Sequence, residues 1–222
     1  MPPWRVAVIG AGRMGQSYLQ AFQVYPDCEL VALVDNNAER GSAACERFGC
    51  PAHFRTVEEM LATSRPEIVS VVTPGAYFRE VVLACAGCPT VRAMQVEKPM
   101  GGPVADADAM VEACAAAGIV FAGGNMQAAC PELQEMAGRL RSGEFGRIVG
   151  ADVQRWAGEY LGGGCQHIAV LRALTGQDIA EVIAWSRPGQ GIELPGYGCG
   201  NVLLAPFYTK LRGFAKTGSG QT

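Results

Sequence analysis

Two short segments of this 222-residue chain hold residue types whose spacing can do chemistry. Glu97-Lys98-Pro99 directly follows an apolar run from Ala93 to Val96. A lysine at the end of a buried strand can donate a proton to a carbonyl, or help remove one from a hydroxyl. Pro99 biases Lys98 toward an extended backbone, which aims its side chain along any crevice beyond the strand. The plainer reading is an ion pair at a strand end. The second segment, Gly10-Ala11-Gly12-Arg13-Met14-Gly15, fits G-x-G-x-x-G.

That glycine pattern is weak alone and strong in context. An apolar run, Arg5 to Ile9, precedes it, a helical pattern follows, and a second apolar run ends in Asp35, twenty residues past Gly15. Gly10 permits the tight turn, Gly12 lets a pyrophosphate approach the backbone, and Gly15 lets the helix pack on the strand. The N–H groups of the first turn, at Arg13 and Met14, then hold the anion. Asp35, with Asn36 beside it, is placed to accept from the adenosine ribose. A carboxylate there repels a 2′-phosphate, so NAD is expected over NADP, and Arg40 softens that preference. Thr73-Pro74 ends another apolar run, Ile68 to Val72. Pro74 is expected to wall the nicotinamide side.

The elements that must position these residues alternate. Strands are expected at 5–9, 29–34, 53–54, 68–72, 93–96 and 119–122. Helices are expected at 14–25, 38–48, 57–63, 78–86 and 104–117. This order implies right-handed βαβ units and a parallel sheet with helices on both faces. After Gly123-Gly124 the texture changes. Helices are expected at 131–142 and 167–174, and strands at 147–155, 179–185 and 201–204. The reading is an α/β Rossmann domain over residues 1–124, followed by a reduced α+β domain over 125–222.

Composition narrows the classes. The chain is 49% hydrophobic and 18% charged, with a net charge of -3, so a packed core is expected. No basic run suggests a nucleic-acid partner. No stretch reaches the roughly 18 apolar residues of a membrane span, and the N-terminus reads as a buried strand rather than a signal peptide. Nine cysteines, an odd and scattered set, point to reduced thiols and a cytoplasmic setting. Cys85-Ala86-Gly87-Cys88 has no second pair, so packing is favoured over metal binding, and no metal is expected. His53 reads as structural.

These residues together resemble the Gfo/Idh/MocA family of oxidoreductases. The resemblance rests on Val6 to Gly15, Val31 to Asp35, Thr73-Pro74 with Glu80, Glu97-Lys98-Pro99, Asn125, and Ser142 to Ile148. It implies that Lys98 is the catalytic lysine, that Glu97 and Lys98 border the cofactor, and that the bond before Pro99 is cis. Two departures stand out. The family's His two residues before Glu80 is replaced by Phe78. The D-x-G-x-H segment is shortened, so that Gly162-Gly163-Gly164 runs directly into Cys165-Gln166-His167. His167 matches the family's catalytic His, whereas counting back from Gly176 lands on Gln166.

The leading expectation is an NAD(P)-dependent oxidoreductase moving hydride between nicotinamide and a sugar, polyol or related cyclic alcohol. Lys98 would be the acid/base with His167 assisting, and Asn125, Gln127, Trp156 and Gln166 would be substrate contacts. The second domain is the expected surface for a homo-oligomer. The alternatives are an NAD-binding protein with little turnover, such as a sensor or partner subunit, and a redox-neutral NAD-dependent glycosidase.

Overall fold

The computed structural model describes residues 2–101, 103–124, 129–152 and 165–179, and three short strands at 191–192, 202–203 and 210–211. A first compact unit runs from Met1 to Gly124. It holds β1 (Trp4–Ile9), α1 (Arg13–Val24), β2 (Cys28–Val34), α2 (Ala38–Phe48), β3 (His53–Phe54), α3 (Val57–Ser64), β4 (Ile68–Val71), α4 (Phe78–Ala86), β5 (Ala93–Val96), α5 (Val104–Ala116) and β6 (Val120–Gly123). The six strands form one sheet in the order β3-β2-β1-β4-β5-β6, and every neighbouring pair is parallel.

The strands form because their apolar runs are buried by helices. Val8 and Leu33 join Leu19 of α1 and Ala44 and Phe48 of α2 in one cluster. Ile9, Val69, Val71, Met94 and Val96 join Met60 of α3, Phe78 and Val82 of α4, and Met110 of α5 in the other. Side chains from both faces of a parallel sheet need such covers. The edge strand β6 is less covered than the central strands, with Val120 71% exposed. It has a neighbour on one side only.

Helix ends follow local chemistry. Asn37 caps α2 by accepting from the Arg40 N–H at 2.9 Å, and Thr56 caps α3 by accepting from the Glu59 N–H at 3.3 Å. Gly49 closes α2 in the left-handed conformation, φ 66°.

Of the second unit, which begins at Asn125, the described elements are α6 (Pro131–Arg141), β7 (Ala151–Asp152), α7 (Cys165–Thr175), β8 (Gly191–Ile192), β9 (Val202–Leu203) and β10 (Lys210–Leu211). Helices α6 and α7 pack on each other, and Arg141 Nη1 donates to the Ala173 carbonyl at 3.4 Å. The strand expected over 147–155 is a correction. Residues 147–150 are not strand, and among the described residues β7 pairs with β10 at 151–152, while 153–155 lie outside them. Gly150, inside that run, lacks the side chain that favours extended pairing. Most of the expected strand at 179–185 lies outside the described residues.

No helix among the described residues is long and apolar enough to cross a membrane. Cys85 is buried in the core and Cys88 packs against that cluster. Burial first, then the neighbouring Cys88, Cys114 and Glu58, push the Cys85 thiol up to about 12, so it stays protonated and inert. Among the described residues no group of three or more His, Cys, Asp or Glu is placed to hold a metal ion.

Candidate dinucleotide and chemical site

The chain leaves β1 for one side of the sheet and then returns to place β4 on its other side. Ligands of open α/β sheets bind outside the carboxyl ends of the strands at such a reversal. At that edge β1 runs into Gly10–Gly15 and β4 runs into Thr73-Pro74. Backbone bonds join the pieces: Gly10 N–H donates to Val34 O at 2.7 Å, and Val72 N–H donates to Ile9 O at 2.8 Å.

The three glycines of the turn have separate reasons. Gly10 sits at φ 107°, and a Cβ on it would lie 2.8 Å from the Val72 carbonyl oxygen. A Cβ on Gly15 would overlap the Gly10 carbonyl. Gly12, which starts α1, would meet nothing within 4 Å. The first two are therefore demanded by the fold, whereas Gly12 faces open space. Arg13 and Met14 open α1 behind it, with Arg13 exposed and Met14 half-buried.

Asp35 is 6% exposed at the end of β2. Its Oδ2 accepts from the Ala11 N–H at 2.8 Å and its Oδ1 from the Asn37 N–H at 2.8 Å. Arg40 adds Nε to Oδ2 at 3.0 Å and Nη2 to Oδ1 at 2.7 Å. Burial pulls this carboxyl up. The hydrogen bonds from Arg40, Ala11 and Asn37 outweigh burial and hold it below the ordinary carboxylate value. His53 Nε2 lies 2.9 Å from the Asp35 carbonyl, which makes that nitrogen the donor and gives this histidine a supporting role. Asn36 is exposed at the same corner.

Glu97-Lys98-Pro99 follows β5 at the same sheet edge, and the Lys98–Pro99 peptide is cis. Glu97 is 9% exposed. Its Oε1 accepts from the Tyr18 hydroxyl at 2.8 Å and its Oε2 from the Lys98 N–H at 3.3 Å. Gln95 Nε2 donates to the Tyr18 oxygen at 2.7 Å and to Val96 O at 3.1 Å. Lys98 itself is half-buried. Tyr18 and Gln95 are site residues that reading the sequence missed. The signal was present: Gln95 is a polar residue inside the apolar run of β5, and Tyr18 lies three residues past Gly15 on α1.

Two buried polar atoms here, Thr73 Oγ1 and Gln95 Oε1, have no partner among the described residues. Buried polar groups are normally satisfied. An orphaned hydroxyl beside the glycine turn, together with the open space over Gly12, fits a dinucleotide lying along this edge. Pro74 is exposed and caps a short 3-10 turn, Gly75–Tyr77. Phe78, at the place of the family's His, is 1% exposed and belongs to the core. Glu80 is exposed.

His167 and Gln166 share the first turn of α7, both half-buried. Asn125, Gln127 and Trp156 lie outside the described residues.

A sequence profile of an oxidoreductase family with an NAD-binding Rossmann fold, Gfo/Idh/MocA, matches residues 4–124. The chain is 31% identical over 140 residues to a D-apiose dehydrogenase of Paraburkholderia graminis, covering 63% of this chain and 37% of that protein. It is 23% identical over 193 residues to a myo-inositol 2-dehydrogenase of Thermotoga maritima, covering 81% and 57%. The fold matches a scyllo-inositol dehydrogenase from Lactobacillus casei, solved with bound NAD(H) and scyllo-inositol. The TM-score is 0.70 at 16% identity, covering 78% of this chain and 56% of that one. The chain thus spans well under two thirds of the length of these proteins.

Proposed function

This chain belongs to the Gfo/Idh/MocA oxidoreductase family, with its NAD-binding Rossmann fold, and from that premise we propose that it transfers hydride between a nicotinamide dinucleotide and a sugar, polyol or related cyclic alcohol. The single observation that carries the proposal is the place of Lys98, whose backbone N–H donates to Glu97 Oε2, at the sheet edge where the glycine turn lies. The names of the relatives, among them dehydrogenases of apiose and inositol, support the substrate class.

The residues divide the work. Gly12 and the N–H groups at the start of α1 seat the pyrophosphate. Asp35 and Arg40 meet the adenosine ribose, and Thr73 and Pro74 border the nicotinamide side. When bound, the nicotinamide ring supplies a hydride acceptor or donor. Lys98 Nζ takes the hydroxyl proton when the substrate is oxidised and returns one when the carbonyl is reduced. In this reading His167 assists the proton transfer. Gln166, Asn125, Gln127 and Trp156 are the proposed substrate contacts, on the family pattern alone.

The test is to incubate the protein with NAD and a panel of polyols and aldoses, and to follow NADH absorbance. The Lys98→Ala variant is expected to lose on the order of 10²–10⁴ in turnover with NAD affinity nearly unchanged. NAD binding without turnover on any substrate would favour a second reading, a dinucleotide-binding protein without catalysis. Phe78, in the core where the family carries a His, is the observation that favours it.

A further inference from the structure

The dinucleotide edge lies at the carboxyl ends of the strands. A separate cavity of about 440 Å³ opens in the same unit at the opposite edge, where Arg5, Arg65, Glu67, Thr90 and Arg92 line it. Arg5 is the second residue of β1, Glu67 immediately precedes β4, and Arg92 immediately precedes β5. Along β1 the five-residue step from Arg5 to Gly10 spans about 17 Å, so the two sites do not share a ligand. The volume falls in the range of small-molecule sites, roughly 300–1,000 Å³.

The lining is unevenly charged, with three arginines against one glutamate. Arg5 is committed locally. Its Nη2 donates to the Ser64 carbonyl at 2.6 Å, and its Nη1 lies 3.7 Å from Glu29 Oε2. Glu67 is also committed, because its Oε2 accepts from the Arg5 N–H at 3.2 Å. The Glu67 backbone binds both neighbours, donating to Arg5 O at 2.8 Å and accepting from the Arg92 N–H at 2.8 Å. These bonds tie together Arg5, Glu67 and Arg92, three of the lining residues. Arg65 and Arg92 are exposed, and neither guanidinium has an ion-pair or hydrogen-bond partner among the described residues.

Arg65 is also the one residue other than glycine with positive φ among the described residues, at φ 46° and ψ 59°, where it caps α3. A glycine would take that conformation without strain. An arginine is instead held there, beside a second unpaired arginine and a third committed one. Like charges gathered around a concavity are stabilised by a counter-charge, and the planar guanidinium fork suits carboxylate and phosphate oxygens.

We propose that this cavity binds a small anion of two or more negative charges, a phosphate ester or a polycarboxylate, with Arg65 and Arg92 as its principal contacts. The occupant is small because the cavity holds about 440 Å³ and the chain, with a net charge of -3, has no basic run. Its place, on the backbone that starts β1, β4 and β5, lets occupancy stabilise the Rossmann unit without touching the dinucleotide.

The test uses the full chain with saturating NAD, so that the glycine turn is filled, at constant ionic strength. Pyrophosphate and citrate are titrated separately while the thermal midpoint is read. The expected result is a saturable rise in midpoint with at least one of them. Pyrophosphate alone identifies the phosphate source, and citrate alone the carboxylate source. The Arg65→Ser/Arg92→Ser double variant should lose the saturable rise and keep its NAD affinity. Arg65→Gly guards against misfolding, since it relieves the left-handed strain. It should match or exceed the wild-type midpoint without anion, yet bind the anion at least several-fold more weakly. No rise with either anion, or an equal rise in the double variant, overturns the proposal.

Discussion

Arg40 grips Asp35 with two nitrogens, Nε on Oδ2 at 3.0 Å and Nη2 on Oδ1 at 2.7 Å. A carboxylate offers about four acceptor positions. Ala11 and Asn37 fill the other two through their N–H groups. A ribose diol bound at Asp35, as proposed, would therefore have to replace the guanidinium, and a 2′-phosphate there would meet a neutralised pair rather than a bare negative charge. The Arg40→Ala variant is expected to bind NAD a few-fold more tightly and NADP about ten-fold more weakly, about 1.4 kcal/mol for the latter. Calorimetric titration with both cofactors reads this. A ratio of the two affinities that does not move would remove Arg40 from cofactor choice.

Gly12 and Gly15 separate binding from folding. A Cβ at Gly12 meets open space, while one at Gly15 meets the Gly10 carbonyl, a backbone atom that cannot swing aside. Gly12→Ala should therefore keep its stability to within about 0.5 kcal/mol and lose at least about ten-fold in NAD affinity, because the methyl group occupies the pyrophosphate's approach. Gly15→Ala should lose about 3 kcal/mol or more through overpacking at the start of α1. Denaturant melts and cofactor titrations on both variants distinguish the two. A Gly12→Ala protein with wild-type affinity would place the pyrophosphate elsewhere.

Much of this was legible in the sequence because each piece had a local cause. The Gly10–Gly15 turn and Asp35 at the end of β2 follow from short motifs, and the cis Lys98–Pro99 step is what the family resemblance implies. Helices α2 and α4 and strands β3 and β5 fall on their expected residues, since capping residues, turn residues or changes of period mark their ends. What was not legible depends on pairs far apart in the chain. Tyr18 and Glu97 are 79 residues apart, and no spacing rule joins them. The grip of Arg40 on Asp35 is close in sequence, but the number of acceptor positions it fills depends on Ala11, 24 residues away. In the second unit the run of 147–155 alternates as a strand would, yet 147–150 are not strand, and among the described residues of that run the pairing is at 151–152.

Tyr18 holds Glu97 with a hydroxyl that burial, then its bond to Glu97, push up to about 12. The folded value lies above the ordinary value of about 10. The contribution of the phenol is thus fully present below about pH 10, and is lost as pH rises from about 10 to about 12. Tyr18→Phe should cost about 1–2 kcal/mol at neutral pH, the worth of a hydrogen bond to a carboxylate in a half-buried position. The gap between wild type and variant should stay constant up to about pH 10 and close above it. Urea melts across that range, with phenolate absorbance followed in parallel, test both. A gap that does not change with pH would mean the phenol does not hold its proton for Glu97.

The orphaned Thr73 hydroxyl makes the sharpest contrast between fold and function. Two residues past β4, Oγ1 is buried without a partner among the described residues. An unsatisfied buried hydroxyl costs roughly 1–3 kcal/mol, so the nearly isosteric Thr73→Val change should raise the stability of the cofactor-free protein. A gain of about 1 kcal/mol corresponds to a midpoint about 2–4 °C higher for a chain of this size. If the hydroxyl is kept to meet the dinucleotide, the same change should weaken NAD binding about five- to thirty-fold, or roughly 1–2 kcal/mol. Thermal melts with and without NAD give both numbers from one preparation. Opposite signs, a higher midpoint alone and a smaller rise on adding NAD, are the expected result. A higher midpoint with an unchanged NAD response would make Thr73 a flaw in packing and remove it from the cofactor site.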